Sequence, residues 1–180
     1  LLDATTYRLI AVEQVHFGNV HEVQQEDFGK TVMGKDGLVL NQPRFNTRGL
    51  VMGIAADCVL ALLADEENGV VAIYHAGWRG TLKRIAVQTV EMMRANGAKT
   101  DKIKVAIGPS ICQRCYDVPL DRARTFQRTI GRDVVIKRGG KWHVDLAYAN
   151  RLELKRAGVN PDNIDASTMC TYENPRLFSW

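Results

Sequence analysis

Two histidines and one cysteine stand where the apolar patterning of the chain breaks. His16 ends an apolar run begun at Tyr7, the pair Asp57-Cys58 interrupts the apolar stretch 53–64, and His75 closes the run 70–75. Two imidazoles and one thiolate can hold a tetrahedral Zn²⁺ and leave its fourth position open, the arrangement of a catalytic rather than a structural site. Such an ion polarises a substrate oxygen or lowers the pKa of a bound water to about 7. By spacing alone two other readings stay open. Cys58 paired with His75 or His16 is also a nucleophilic dyad, and the three residues are equally compatible with a buried thiol and two hydrogen-bonded imidazoles.

The segment after His75, Ala76-Gly77-Trp78-Arg79-Gly80-Thr81, reads as a strand-to-helix turn. Its small residues let backbone approach a ligand, and a helix starting near Thr81 offers free N–H groups to an anion. Arg79 adds a charge suited to phosphate. Gly77, Arg79 and Thr81 are therefore candidate phosphate contacts, and Asp57 a candidate residue for orienting a ligand or relaying a proton. Cys112 and Cys115 form a C-x-x-C without a second Cys pair at zinc-ribbon spacing, and read as incidental thiols in the loop after Gly108-Pro109-Ser110. His21 and His143 read as surface or structural residues, and Asp145 as a helix N-cap.

The elements that position these residues follow from periodicity. Strands are expected over 7–16, 20–24, 38–40, 50–56, 59–64, 70–75, 103–107, 134–136 and 164–168. Helical spacing appears over 81–97, over 121–131 with Asp121 as N-cap, and over 145–158. Several strands, a helix, more strands, two helices and a last strand suit an α+β architecture better than regular βα alternation. At 180 residues, 46% hydrophobic and 24% charged, the composition excludes wholesale disorder and supports one domain. The net charge of +4 conceals a segment, 81–160, with 17 Lys or Arg against 7 Asp or Glu. Its charges are scattered, which fits solvated helix faces better than a nucleic-acid surface. No run approaches the roughly 20 apolar residues that span a bilayer. Four cysteines in a chain of this length fit reduced thiols, and a cytoplasmic location is expected.

Several phrases taken together resemble one family. They are Gln14-Val15-His16, Asp36-Gly37-Leu38-Val39, Ala56-Asp57-Cys58-Val59, residues 75–81, residues 107–111 with Cys115-Tyr116-Asp117-Val118, Asp145-Leu146 with Asn150, and Cys170-Thr171 with Phe178-Ser179-Trp180. In this order they are similar to the laccase-domain purine nucleoside phosphorylases, also described as multicopper polyphenol oxidase-like proteins. The resemblance covers about residues 14–180, and implies a four-layer α/β/β/α sandwich of two mixed sheets covered by helices. It also implies a catalytic zinc on His16, Cys58 and His75.

The implied activity is phosphorolysis of adenosine, inosine, guanosine or methylthioadenosine, with adenosine deamination as a second activity. Some members of the family look instead like cysteine hydrolases or amidases that edit peptidoglycan precursors. A copper-dependent polyphenol oxidase is the less expected alternative, because four histidines with no His-X-His pair are too few for a multicopper centre. Zinc is expected over copper where no redox step is required. A non-enzymatic binding module is the remaining alternative. The expected partners are a purine nucleoside and phosphate, with neither membrane nor specific nucleic acid. Beside the family the 1–180 domain looks shortened at both termini, and the oligomeric state is left open.

Overall fold

A computed structural model describes residues 7–179. Its strands are β1 (Tyr7–Val12), β2 (Val20–Glu22), β3 (Thr31–Val32), β4 (Gly37–Asn41), β5 (Arg48–Met52), β6 (Val59–Asp65), β7 (Val70–Ala76), β8 (Lys104–Ile107), β9 (Asp117–Val118), β10 (Val135–Arg138), β11 (Lys141–Val144) and β12 (Ile164–Ala166). The α-helices are α1 (Trp78–Leu82), α2 (Ile85–Ala95), α3 (Leu120–Thr129) and α4 (Leu146–Arg156).

The α+β class expected from the element order and the sandwich of sheets and helices implied by the resemblance are the architecture found. A six-stranded mixed sheet, ordered β12-β8-β6-β7-β4-β2, forms its centre. Residues on β4, β6 and β7, among them Val39, Ala61, Leu63, Ala72 and Tyr74, pack with α2, α3 and α4 through Ile85, Val90, Met93, Phe126 and Leu154. Residues of the opposite parity, Leu38, Leu40 and Ile73, pack with Ile10 of the parallel sheet β3-β1-β5. Period-2 alternation thus serves two cores, and β4 and β7 read as almost continuously apolar because both of their faces are covered. A third, antiparallel sheet, β10-β11-β9, lies beside α3. Strands β3, β9 and β11 carried no clear sequence pattern, being two to four residues long. Among the described residues no helix is long and apolar enough to cross a membrane.

Two helix boundaries differ from expectation. Asp121 lies in the first turn of α3, whose N-cap is Pro119, whereas Asp145 does cap α4 by accepting from the Tyr148 amide at 2.8 Å. The helix expected over 81–97 is two helices, α1 and α2, broken at Arg84, which takes a left-handed φ of 61°. The break is held from α4: Arg84 Nε donates to Glu153 Oε2 at 2.6 Å, and Arg156 donates to the other oxygen. Glu153 is 1% exposed, and the two guanidinium groups pair its buried carboxylate. Glu153→Gln loses a charge-assisted bond at the break, and we expect urea unfolding to report about 2 kcal/mol of lost stability.

Candidate metal centre

His16, Cys58 and His75 come from three segments that the central sheet and its neighbour bring to one end of the fold. β6 and β7 pair antiparallel, with Leu60 opposite His75 and Val59 opposite Ala76, so Cys58, directly before β6, lies beside the residues that leave β7. β4 pairs with the other edge of β7, and His75 N donates to Asp36 O at 2.7 Å. His16 follows β1 of the second sheet. Its ring meets that of His75 edge-on, with centroids 4.7 Å apart. One donor atom from each of His16, Cys58 and His75 lies within 4.8 Å of the other two.

Asp36 makes that convergence possible. Its side chain is fully buried, and its two oxygens accept four consecutive backbone N–H groups. Val15 and His16 donate to Oδ1 at 3.0 and 2.6 Å, and Phe17 and Gly18 to Oδ2 at 2.8 and 2.7 Å. Four converging amides force a tight turn, in which His16 has φ 62° and Gly18 φ 78°. A non-glycine residue in the left-handed region costs about 1–3 kcal/mol and persists only where its surroundings hold it there. Burial opposes the Asp36 charge, but the amides of Gly18, Phe17 and His16 outweigh it and hold the carboxyl below its usual range. The same carboxylate lies 3.7 Å from His75 Nδ1. Sequence reasoning noted Asp36 only as part of a phrase. The available signal was an ionisable residue directly preceding the wholly apolar run Gly37–Leu40.

The donor chemistry fits a cation. Burial, then the charges of Asp57 and Asp36, push the Cys58 thiol up to about 11. Burial and the neighbouring His16 push His75 down to about 4, against the smaller opposing pull of Asp36. Without an ion the cluster is a thiol beside neutral imidazole, and His75 Nδ1 is buried with no hydrogen-bond partner among the described residues. A divalent cation supplies what stabilises a buried thiolate, and neutral imidazole is the form that ligates it.

Gly77 is required by space. Its φ of −72° suits any residue, but a Cβ there would lie 3.0 Å from Cys58 Sγ and 3.7 Å from His16 Cδ2. Gly77→Ala therefore displaces the thiol. We expect zinc affinity to fall about tenfold or more in a competition titration, with little change in Tm. Arg79 extends over the Trp78 ring at 4.3 Å, and Arg122 of α3 lies over the same ring at 4.1 Å. Thr81 sits behind the turn at 1% exposure, its hydroxyl donating to Gly77 O at 3.0 Å and accepting from Asn150 Nδ2 at 3.0 Å. Helix α1 starts at Trp78 and not near Thr81, and the Thr81 N–H expected to be free for an anion donates to Gly77 O at 2.9 Å.

Asp57, with φ 75°, accepts from Thr171 Oγ1 at 2.6 Å through Oδ1, and from Ile111 N at 2.9 Å through its carbonyl. Two hollows meet at His16, Asp57 and Cys58. One, of about 730 Å³, is walled by Gln14, Ile54 and Phe178; the other, of about 70 Å³, by Trp78, Arg79, Ile111 and Tyr116. Sequence reasoning noted Ile111 and Tyr116 only as parts of phrases and missed Arg122; the first two line the narrow hollow and the third lies over Trp78, all from a distant segment of the chain. Of the other two histidines, His21 Nε2 pairs with Asp27 at 2.8 Å, and His143 is buried in β11.

The chain is similar to proteins of known name. It is 44% identical over 138 residues to adenosine deaminase RL5 from an unknown prokaryotic organism, covering 73% of this chain and 53% of that protein. It is 41% identical over 149 residues to a purine nucleoside phosphorylase of Deinococcus radiodurans, covering 82% and 55%. It thus spans about half the length of these relatives. Among solved structures, YlmD from Geobacillus stearothermophilus superposes with a TM-score of 0.84 at 30% identity, covering 96% of this chain and 67% of that one. The family model for multi-copper polyphenol oxidoreductase laccase matches residues 1–180, so the chain belongs to that family.

Proposed function

We propose that His16, Cys58 and His75 hold a catalytic zinc and that the chain, as one domain, cleaves purine nucleosides with phosphate and also deaminates adenosine. The observation that carries this reading is the convergence of the three donors where an apolar hollow meets a narrow one flanked by Arg79. The names of the two relatives, an adenosine deaminase and a purine nucleoside phosphorylase, support it. When bound, zinc supplies Lewis acidity toward an oxygen of phosphate or water. A set of two imidazoles and one thiolate suits zinc, and neither reaction needs an electron-transfer metal.

The chain's own residues do the rest. Ile54 and Phe178 offer an apolar wall to a purine ring, and Arg79 receives phosphate charge. Gly77 leaves room for the Cys58 thiol, and Asp36 holds the His16 turn and faces His75. In phosphorolysis a phosphate oxygen bonds to the ribose carbon as the bond to the purine nitrogen breaks, giving ribose 1-phosphate and free base. In deamination water adds to the purine carbon and ammonia leaves. A Cys58–imidazole dyad is less well supported, since a nucleophilic thiolate needs a lowered pKa and this thiol is pushed up.

Zinc-loaded protein is given inosine with and without phosphate. Hypoxanthine that forms only with phosphate, and stops on chelation, is the expected result. Phosphate-independent release, or full turnover by zinc-free protein, overturns the reading. Inert nucleosides together with serine release from a nucleotide-linked muramyl precursor would put the amidase in its place.

A further inference from the structure

The fold gathers a second set of donors away from the first. Cys112 and Cys115 lie at the ends of one turn, where the amides of Cys115 and Tyr116 bond to Cys112 O at 3.0 and 3.1 Å. Cys170 and Glu173 end a second turn with the same i, i+3 spacing, closed by Asn174 N on Cys170 O at 3.1 Å. A parallel bridge between Ser110 and Cys170, with Thr171 N donating to Ser110 O at 3.2 Å, sets the two turns side by side. One donor atom from each of the four residues lies within 4.8 Å of all the others. The C-x-x-C thus meets a C-x-x-E 58 residues further on, which a search for a second Cys pair passes over.

We propose that Cys112, Cys115, Cys170 and Glu173 form a second metal site, one that takes a single zinc ion and has a structural role. A tetrahedral ion with Zn–S of about 2.3 Å sets its sulfurs about 3.8 Å apart. Cys112 Sγ and Cys115 Sγ are 3.6 Å apart, and Cys115 Sγ is 3.4 Å from Glu173 Oε1. All four cysteines of the chain are free. The Cys112 amide donates to Cys170 Sγ at 3.3 Å, the backbone-to-sulfur contact that eases the crowding of several thiolates on one ion. Arg114 Nη2 holds Glu173 at 2.7 Å through Oε2 and 3.1 Å through Oε1. Oε1 turns to the ion while Oε2 stays with Arg114. Each thiol that binds releases its proton to solvent.

The site has a task in the fold. Ile111 and Tyr116 flank the first turn and wall the narrow hollow beside Cys58. Thr171 of the second turn donates to the Asp57 side chain, and Ile111 N to the Asp57 carbonyl. An ion joining the two turns fixes both contacts to the residue next to Cys58. It does so through a closed loop of chain between Cys115 and Cys170, which makes it a staple as well as a support.

The test uses the whole chain, loaded with zinc under reducing conditions and stripped of loosely held metal. About two zinc ions per chain are expected. The variant H16A/C58S/H75A, which lacks the first centre, keeps about one. Its Co²⁺ form shows intense thiolate-to-metal charge transfer and tetrahedral visible bands. The variant C112S/C115S loses one zinc and melts lower. Should either variant fail to fold, X-ray absorption of the parent decides: a mean of about two sulfurs per zinc fits both sites, and about one fits the first centre alone. The proposal is overturned by that lower sulfur count, by H16A/C58S/H75A chains that fold yet bind neither metal, or by a Cys112–Cys115 disulfide persisting under the reducing conditions. Because the second site is read in a variant lacking the first, its failure is separable from failure of the proposed catalytic zinc.

Discussion

Cys58→Ala protein, cleared of excess metal, is expected to hold about one zinc fewer per chain than the parent and to phosphorolyse inosine about 10³-fold more slowly. Lewis-acid stabilisation of transition-state charge is worth several kcal/mol, and each 1.36 kcal/mol is a factor of ten in rate. Cys58 is the only sulfur in the set, and its donor atom lies within 4.8 Å of those of its two imidazole partners. The two histidines that remain cannot replace a charged thiolate. Cys58 is half-buried directly before β6, outside both apolar cores, so the melting temperature of metal-stripped parent and variant should agree closely. Adding His16→Ala should cost little more, because residues that act as a unit are strongly non-additive. Near-parental turnover by zinc-free C58A would sink the metal mechanism and the cysteine dyad together.

Asp36→Asn is expected to lower the unfolding free energy by about 4 kcal/mol, among the largest effects open to a single polar substitution in this fold. The carboxylate accepts four amide N–H groups at 2.6–3.0 Å. An asparagine presents one acceptor oxygen, and turns two N–H donors of its own toward two amides that also donate. Each buried donor left unsatisfied costs about 1–3 kcal/mol, and the repulsion between donors adds to that. The turn with His16 at φ 62° then loses its clamp. Stability is read from denaturant midpoints, and the turn itself from zinc affinity, which should fall even where the variant still folds. Unchanged zinc affinity in folded D36N would show that His16 is held by something other than these amides.

Much of the architecture could be read along the chain. The alternation of Val59, Ala61 and Leu63 against Leu62 is local, and it marks β6 whatever its neighbours are. Asp145 caps α4 through the amide three residues on, and Gly97 and Gly158 end α2 and α4 with φ 96° each, so these boundaries are local as well. The break at Arg84 was not legible, because Lys83 and Arg84 are good helix formers. What ends α1 there is Glu153, 69 residues away and buried. Helical propensity, worth a few tenths of a kcal/mol per residue, yields to that ion pair.

His16, Cys58 and His75 could be singled out from the chain alone, as polar breaks in apolar runs that fall within phrases resembling one family. How they meet follows from the fold. The sheet order β12-β8-β6-β7-β4-β2 departs from chain order, so residues far apart along the chain become neighbours at one sheet end. That order places Asp36 beneath the His16 turn, Thr171 on Asp57 across 114 positions, and the Cys170 turn against the Cys112 turn across 58. Periodicity records which face of an element is buried. It carries no record of which other element covers that face, and it is this pairing that gathers the four thiols with two of the four histidines and Glu173 into two separate clusters.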